Sequence, residues 1–490
     1  MERREFLKNS TGAGIAAWTA VSAAQVRGAN DRLRVGLIGC GGRGTFDSRL
    51  MRGTPEDIQA VARENYHDGN LDPRLKEPRN VDIAALCDVN TAQTDRAKTW
   101  APQATVYDDF RKLLADKSID AVVVATPDPW HAQMMILACE AGKDVYCEKP
   151  VMYRLREAKS MREVVKRTNR IVQVGTQHRS ADHIAAAAKI VQSGQIGEVK
   201  FVRVWNYQPS GGGAPVPDSD PPAGLNWDAW LGPSPKVPFN RARLGYRSFM
   251  DYTNGLISDY GNHRFDSVHQ IMGVDKPLKV SSSTAMLDRK KGGDIVDLQQ
   301  ATYEYPTFIM SYEGCIYNGH GVGGRTPGMR YYGQMGTDDR PHGMAFYGTQ
   351  AALYVDRIGM ELYPEPQGGG RGGAGRGGAG RGGSAPAAAA ASAAAAAGVQ
   401  PTERMHMNED EPTPLHVKYF VDFVRSRKDP FANIDVGTHA TAIACMGNVA
   451  AWTGRKITWD DATWQFPGDA EANKYLFREY RKPWDLVQFA

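Results

Sequence analysis

At 490 residues the chain exceeds one ordinary domain, and two are expected. Hydrophobic residues make up 42% and charged residues 23%, which excludes a disordered or fibrous chain. The net charge of +4 is misleading: residues 1–29 contribute +2 and residues 368–400 contribute +3, so the body between and after them sits at −1 and has no basic surplus for nucleic acid.

The amino terminus carries Arg3-Arg4-Glu5-Phe6-Leu7-Lys8 and then a mildly apolar run, Gly12–Ala24, too short and too weak to span a membrane. Residues 1–29 resemble a twin-arginine (Tat) export signal. Cleavage after Ala24, cleavage after Ala29 and no cleavage all remain open. That route carries proteins already folded, and it implies a periplasmic or cell-envelope location in a bacterium. The six cysteines form no C-x-x-C pair. They read as reduced core residues rather than a disulfide frame or a zinc site, and no metal is expected.

Val35, Leu37 and Ile38 predict a strand running into Gly39, Gly41 and Gly44, which fit G-x-G-x-x-G. The first glycine makes the turn, the second admits a pyrophosphate to the backbone, and the third lets the next helix pack on the sheet. The backbone of Gly42 and Arg43 belongs to the same phosphate loop. A helix follows to about Arg52. Gly53–Asn80, with Pro55, Pro73 and Pro78, reads as a polar insertion before a second strand, Val81–Leu86, which ends in Cys87-Asp88. A carboxylate there accepts from a ribose 2′-hydroxyl and repels a 2′-phosphate, which favours NAD over NADP. Asp88 lies 44 residues past Gly44, and the insertion accounts for the excess over the usual spacing of about 20.

Helices are predicted over Thr91–Trp100 and from Tyr107 to Ala115. Ile119–Thr126 is a continuous apolar run, the pattern of a parallel strand buried on both faces. Helix Ala132–Ala141, strand Val145–Cys147, helix Leu155–Thr168 and strand Ile171–Val174 complete a doubly wound parallel sheet. The motifs GCGGRG, CD, ATPDPWHA and GKDVYCEKP, in that order, resemble the glucose–fructose oxidoreductase/inositol dehydrogenase family (Gfo/Idh/MocA). The resemblance runs from about Arg32 to the end of the chain. It implies that Lys149 of E-K-P sits beside the nicotinamide and the reacting hydroxyl, with Glu148, Thr126, Pro127 and His131 near the cofactor. A helix-capping or core role for His131 stays open, as does a cis peptide at Pro150.

From about residue 177 to 490 a second domain is expected. Val199–Trp205 alternates as a strand, and Pro209–Gly224 is a proline- and glycine-rich loop. The run NWDAWLGPSPKVPFN resembles an exported bacterial branch of the family. It brings Trp227 and Trp230 together, either against a sugar face or as core. Trp130, Gln177, Arg179 and Asp266 are further candidate substrate contacts. Ser258–Gly273 reads as one helix with Asp259, His263, Asp266 and Gln270 on one stripe. The resemblance makes its D-x-x-x-H an acid/base pair, Asp259 orienting His263. Strands Val280–Met286, Asp297–Tyr305 and Thr307–Glu313, and a hairpin over Phe346–Leu353, suit an open, mostly antiparallel sheet. Relatives pair such sheets into dimers and tetramers. Gly368–Gly398 is a Gly/Arg and Ala tract without core-forming side chains, an expected solvated insertion. Helices Thr413–Arg427 and Val436–Thr453 close the chain.

The expected fold is therefore α/β: a Rossmann dinucleotide-binding domain over 32–176 and an α+β domain with a large open sheet. The expected activity is NAD-dependent hydride transfer at a sugar, glycoside or cyclitol hydroxyl. Lys149 holds the oxygen, His263 takes the proton and Asp259 assists. Two rivals stand beside it. One is a redox glycosidase, epimerase or transhydrogenase that recycles tightly bound NAD. The other is a non-catalytic sugar-binding protein, which loss of Lys149 or His263 would have supported.

Overall fold

The computed structural model describes residues 32–65, 72–77, 79–207, 215–287, 292–317, 342–357, 359–365, 401–406 and 412–489. The export-signal stretch, the Gly/Arg/Ala tract and part of the 209–224 loop lie outside the described residues.

Six strands, β1 Leu33–Ile38, β2 Val81–Cys87, β3 Thr105–Tyr107, β4 Ala121–Val124, β5 Asp144–Cys147 and β6 Val172–Val174, form a parallel sheet in the order β3-β2-β1-β4-β5-β6. The apolar runs become central strands because helices cover both faces; Val35, Leu37 and all of Ala121–Val124 are sealed from solvent. The strand order reverses between β1 and β4, and there the carboxyl ends open a crevice.

Two features depart from expectation. β3 is a three-residue edge strand with Val106 47% exposed, too short to show a period. The insertion is partly helical. Pro55 opens a helix over Pro55–Asn65, where its missing N–H costs nothing, and Glu56 and Asp57 fill the first turn. Buried Asp57 accepts from Arg49, Arg52 and Thr54.

The second sheet has nine described strands: β7 Val199–Tyr207, β8 Lys279–Ala285, β9 Leu298–Glu304, β10 Ile309–Cys315, β11 His342–Gly348, β12 Ala351–Val355, β13 Gly359–Pro364, β14 Glu403–His406 and β15 Ile457–Thr458. Their order is β14-β13-β12-β11-β7-β10-β9-β8-β15, and among the described strands only β7 and β10 run parallel. The expected hairpin is β11–β12, pairing Phe346 with Leu353. Helices Asp182–Gln192, Gly261–Met272 and Ile434–Thr453 cover one face, into which Met310, Tyr312 and Tyr303 point. Ile309 (47% exposed) and Phe201 (37%) lie on the other face.

Helix Thr413–Ser426, expected in the second domain, packs on the first. Val417, Phe420 and Val421 share a buried cluster with Val35, Leu37 and Tyr146. Its period shows that one face is buried, not which sheet buries it.

Candidate active site

The turn after β1 builds one wall of the crevice. Gly39 has φ +92°, and a Cβ there would lie 2.4 Å from the Ala125 carbonyl oxygen. A Cβ on Gly44 would lie 2.1 Å from the Gly39 oxygen. A Cβ on Gly41 or Gly42 would meet nothing within 4 Å. Two glycines are thus required by packing, and two leave the backbone open at the start of helix Gly42–Arg52. The groove encloses about 510 Å³. Its walls are this turn, Asp88–Asn90, Thr126-Pro127 and, from the second domain, Trp230, Tyr246 and Arg247.

Asp88 Oδ2 accepts from Cys40 N–H (2.7 Å) and Oδ1 from Asn90 N–H (2.9 Å). Each oxygen keeps a lone pair, while burial raises the carboxyl above its usual range. An open glycine cradle at a helix N-terminus beside a strand-end carboxylate fits a dinucleotide with a free ribose 2′-hydroxyl. The Arg43 guanidinium is already committed: Nε lies 3.0 Å from Glu148 Oε1 and 3.1 Å from Asp47 Oδ2. The Glu148 carboxylate props the glycine turn through Arg43, and it is 5% exposed. Burial acts to raise it, but Arg43 and Lys149 outweigh that and hold it low. A Cβ on Gly175 would come within 2.5 Å of Glu148 Oε1, so the end of β6 must be bare.

At the end of β5, Lys149 Nζ donates to Asp259 Oδ1 (2.6 Å) and to the Asp259 backbone oxygen (2.6 Å). Asp259 Oδ2 faces Arg247 Nε at 3.0 Å. One carboxylate from the second domain thus sits between a cation of each domain. Burial would raise Asp259, but Lys149 and then Arg247 hold it down to about 2. The Lys149–Pro150 peptide is cis.

Asp259 does not orient His263. The predicted single helix is two, Leu256–Asp259 and Gly261–Met272, broken at Tyr260, so the four-residue spacing no longer stacks the two side chains. Both Asp259 oxygens are taken by Lys149 and Arg247. His263, 8% exposed, lays its ring on His178 with centroids 5.0 Å apart, and its Nδ1 is buried without a hydrogen-bond partner. Burial, then the charge of Lys149, holds its imidazole well below the usual range and keeps it neutral.

The remaining candidates scatter. His131 lies between two carbonyls, Nδ1 2.7 Å from Pro150 O and Nε2 2.7 Å from Thr126 O; at 1% exposure it joins two loops, the core role that its sequence left open. Thr126 and Pro127 line the groove. Trp230 does too, with its face on Trp227 at 4.7 Å; Trp227 is core, its indole N–H donating to Val237 O. Trp130 is 4% exposed, wedged edgewise against Phe110 and Trp484 at the groove wall. Asp266 is fully buried and accepts from Arg179 Nε (2.7 Å), so this pair ties the Gln177–Ser180 turn to a helix and Asp266 is closed to a solute. Gln177 is 2% exposed. Sequence reasoning missed Arg247, which stands in no motif, and gave no role to Asp128, whose carboxyl burial and the Asp259 charge push up to about 7. Among the described residues no cluster of three metal-ligating side chains converges, and no helix is long and apolar enough to cross a membrane.

Residues 33–176 match a family profile described as "Oxidoreductase family, NAD-binding Rossmann fold", and residues 181–311 and 400–486 match its "Oxidoreductase family, C-terminal alpha/beta domain". The chain is 27% identical to an inositol 2-dehydrogenase of Rhizobium meliloti over 54% of this chain and 62% of that protein. It is 28% identical to a levoglucosan dehydrogenase of Pseudarthrobacter phenanthrenivorans over 37% of this chain and 40% of that one. The matches thus span between two fifths and three fifths of these relatives. A solved levoglucosan dehydrogenase in complex with NADH and levoglucosan shares the fold, with TM-score 0.58 at 16% identity, covering 87% of this chain and 99% of that one. A myo-inositol 2-dehydrogenase from Lactobacillus plantarum does likewise, with TM-score 0.56 at 18% identity and the same coverage. With both halves of the chain matched and the glycine turn, Asp88 and the groove built as a dinucleotide site requires, the chain belongs to the Gfo/Idh/MocA family of NAD-binding oxidoreductases.

Proposed function

We propose that the protein transfers hydride between NAD and a hydroxyl of a sugar, glycoside or cyclitol. The observation that carries this is the Lys149–Asp259 pair, which joins the two domains next to Arg247 of the groove wall. Bound NAD supplies the hydride acceptor. Lys149 has one N–H left after its two bonds to Asp259, and that N–H holds the carbinol oxygen. Asp259 fixes the ammonium. His263, kept neutral, takes the hydroxyl proton. The names of the inositol and levoglucosan dehydrogenase relatives support this substrate class. Nicotinamide absorbance of the purified protein, followed by a panel of sugars and cyclitols read at that band, tests the reading. No change with any member overturns it.

The Arg3-Arg4 motif favours a second reading, in which the protein is exported by the Tat route and recycles tightly bound NAD as a redox glycosidase, epimerase or transhydrogenase. Such an enzyme converts a glycoside with no added NAD, whereas a simple dehydrogenase needs it in stoichiometric amount. Cell fractionation with Arg3→Lys plus Arg4→Lys tests the export. The open sheet face, where Phe201 stacks on Tyr347, supports assembly into a homodimer or homotetramer, which light scattering tests.

A further inference from the structure

We propose that Arg247 binds an anionic group of the substrate, so that the sugar this site takes carries a carboxylate. The proposal rests on the reading above and deepens it. Arg247 belongs to the turn Tyr246–Ser248, which brings the second domain to the groove. Its side chain is 51% exposed and lines that groove. Nε faces Asp259 Oδ2 at 3.0 Å and the guanidinium lies over the Tyr246 ring, but the two terminal nitrogens make no hydrogen bond to any described residue. They form the fork that a carboxylate fits with two parallel bonds.

The local charges point the same way. Lys149 and Arg247 share one carboxylate, that of Asp259. The other nearby acid, Asp128, is 1% exposed with its Oδ2 buried and unpartnered, so it acts on Arg247 through its charge alone and makes no hydrogen bond to it. Glu148 is spent on Arg43. His263 and His178 are held neutral, and Arg264 donates to His178 Nδ1 from behind. Arg247 thus presents to the groove a guanidinium edge that a neutral sugar leaves unanswered. The phosphates of a dinucleotide have their own cradle at Gly41–Gly42, whereas Arg247 stands one carboxylate away from the ammonium that holds the reacting oxygen. A uronic or aldonic acid, with its carboxylate a few bonds from the oxidised carbinol, meets both cations at once.

The test is calorimetric binding to the NADH-loaded full chain, which cannot oxidise a hydroxyl, of D-glucuronate, D-galacturonate and D-gluconate, each against D-glucose and D-galactose. At least one acid should bind about ten- to hundredfold more tightly than the neutral sugars, the worth of a hydrogen bond to a charged group. Arg247→Gln should collapse that ratio and Arg247→Lys restore part of it, with the Kd for NAD moving less than about threefold in either. Equal binding of acids and neutral sugars, no binding of any acid at 10 mM, or a ratio that survives Arg247→Gln overturns the proposal. A matching loss of NAD affinity also overturns it, because the arginine then holds a cofactor phosphate. Binding is read without turnover. An acid that binds through Arg247 yet reduces no NAD therefore sinks the oxidoreductase reading and leaves the anion site standing.

Discussion

Asp259 accepts from Lys149 through one oxygen and faces Arg247 with the other, so replacing it releases two cations. Asp259→Asn should lower kcat/KM by about 10²–10³, close to the effect of Lys149→Ala and within the range of a positioned acid/base group. Because Asp259 acts through Lys149, the double variant should lose little more than Lys149→Ala alone. His263→Ala should cost about 10²–10⁴ by an independent route. Steady-state rates with separately measured NAD affinity decide this, and additive losses for Lys149 and Asp259 would show that they do not act as a unit. Asp88 makes the second prediction at this scale. A 2′-phosphate would meet the acceptor oxygens of Asp88 with no free cation beside them, since Arg43 is held by Glu148 and Asp47. Kd for NAD should be about 10²-fold below that for NADP, and Asp88→Ser should narrow the gap. Equal affinities would mean that Asp88 does not reach the ribose.

Helix Thr413–Ser426 comes late in the chain yet completes the first domain. Phe420 is fully buried and meets Tyr146 edge-on at 5.8 Å, and Lys418 reaches Glu77 of the insertion at 3.0 Å. Phe420→Ala should cost about 3–5 kcal/mol, the range for an aromatic lost from a core. NAD affinity should fall with it, because Arg43, which props the glycine turn, also reaches Thr413. Denaturant unfolding measures the first effect and cofactor titration the second. For the same reason a fragment ending at residue 176 should lack fixed tertiary packing by near-ultraviolet circular dichroism, since the sockets of Val417, Phe420 and Val421 stay open.

The carboxy-terminal segment wraps back to the first domain at Glu157, which accepts from Tyr153 N–H and from the Tyr480 hydroxyl. Its side chain is fully buried, and burial moves the carboxyl from 4.5 to about 7. Between those values the folded chain binds a proton that the unfolded chain has released, so stability falls as pH rises from about 4.5 to 7 and is flat above. Asp128, moved from 3.8 to about 7, has the same sign. Glu157 by itself should therefore remove on the order of 3 kcal/mol of stability between pH 5 and pH 8, against the opposite trend of the buried, neutral histidines such as His178, His269 and His416. It is read as the difference in Tm between the wild type and Glu157→Gln, which should shrink as pH rises, and a difference constant with pH would mean that Glu157 does not keep its proton.

Much of this molecule follows from short stretches of chain. Val35–Ile38 and Ala121–Val124 are apolar on both faces, so they had to be central strands. The glycine turn and Asp88 need no partner from afar to be legible, because turn chemistry and strand ends are local. β3 and the Pro55–Asn65 helix escaped because three residues carry no period and a proline at a helix start looks like a loop. The interrupted helix at Tyr260 was hidden for a related reason: Asp259 and His263 have helical spacing, but a one-residue break changes what each faces. The place of Arg247 beside Asp259 was beyond reach, and so was the sheet that receives helix Thr413–Ser426, although the helix itself was legible. Periodicity tells which face of an element is buried and composition tells which charges exist, and both are properties of neighbours along the chain. Which sheet receives Phe420, and which domain's lysine meets Asp259, depend on contacts such as Tyr146–Phe420, 274 positions apart, and Lys149–Asp259, 110 apart, and only the closing of distant parts of the chain on each other decides them.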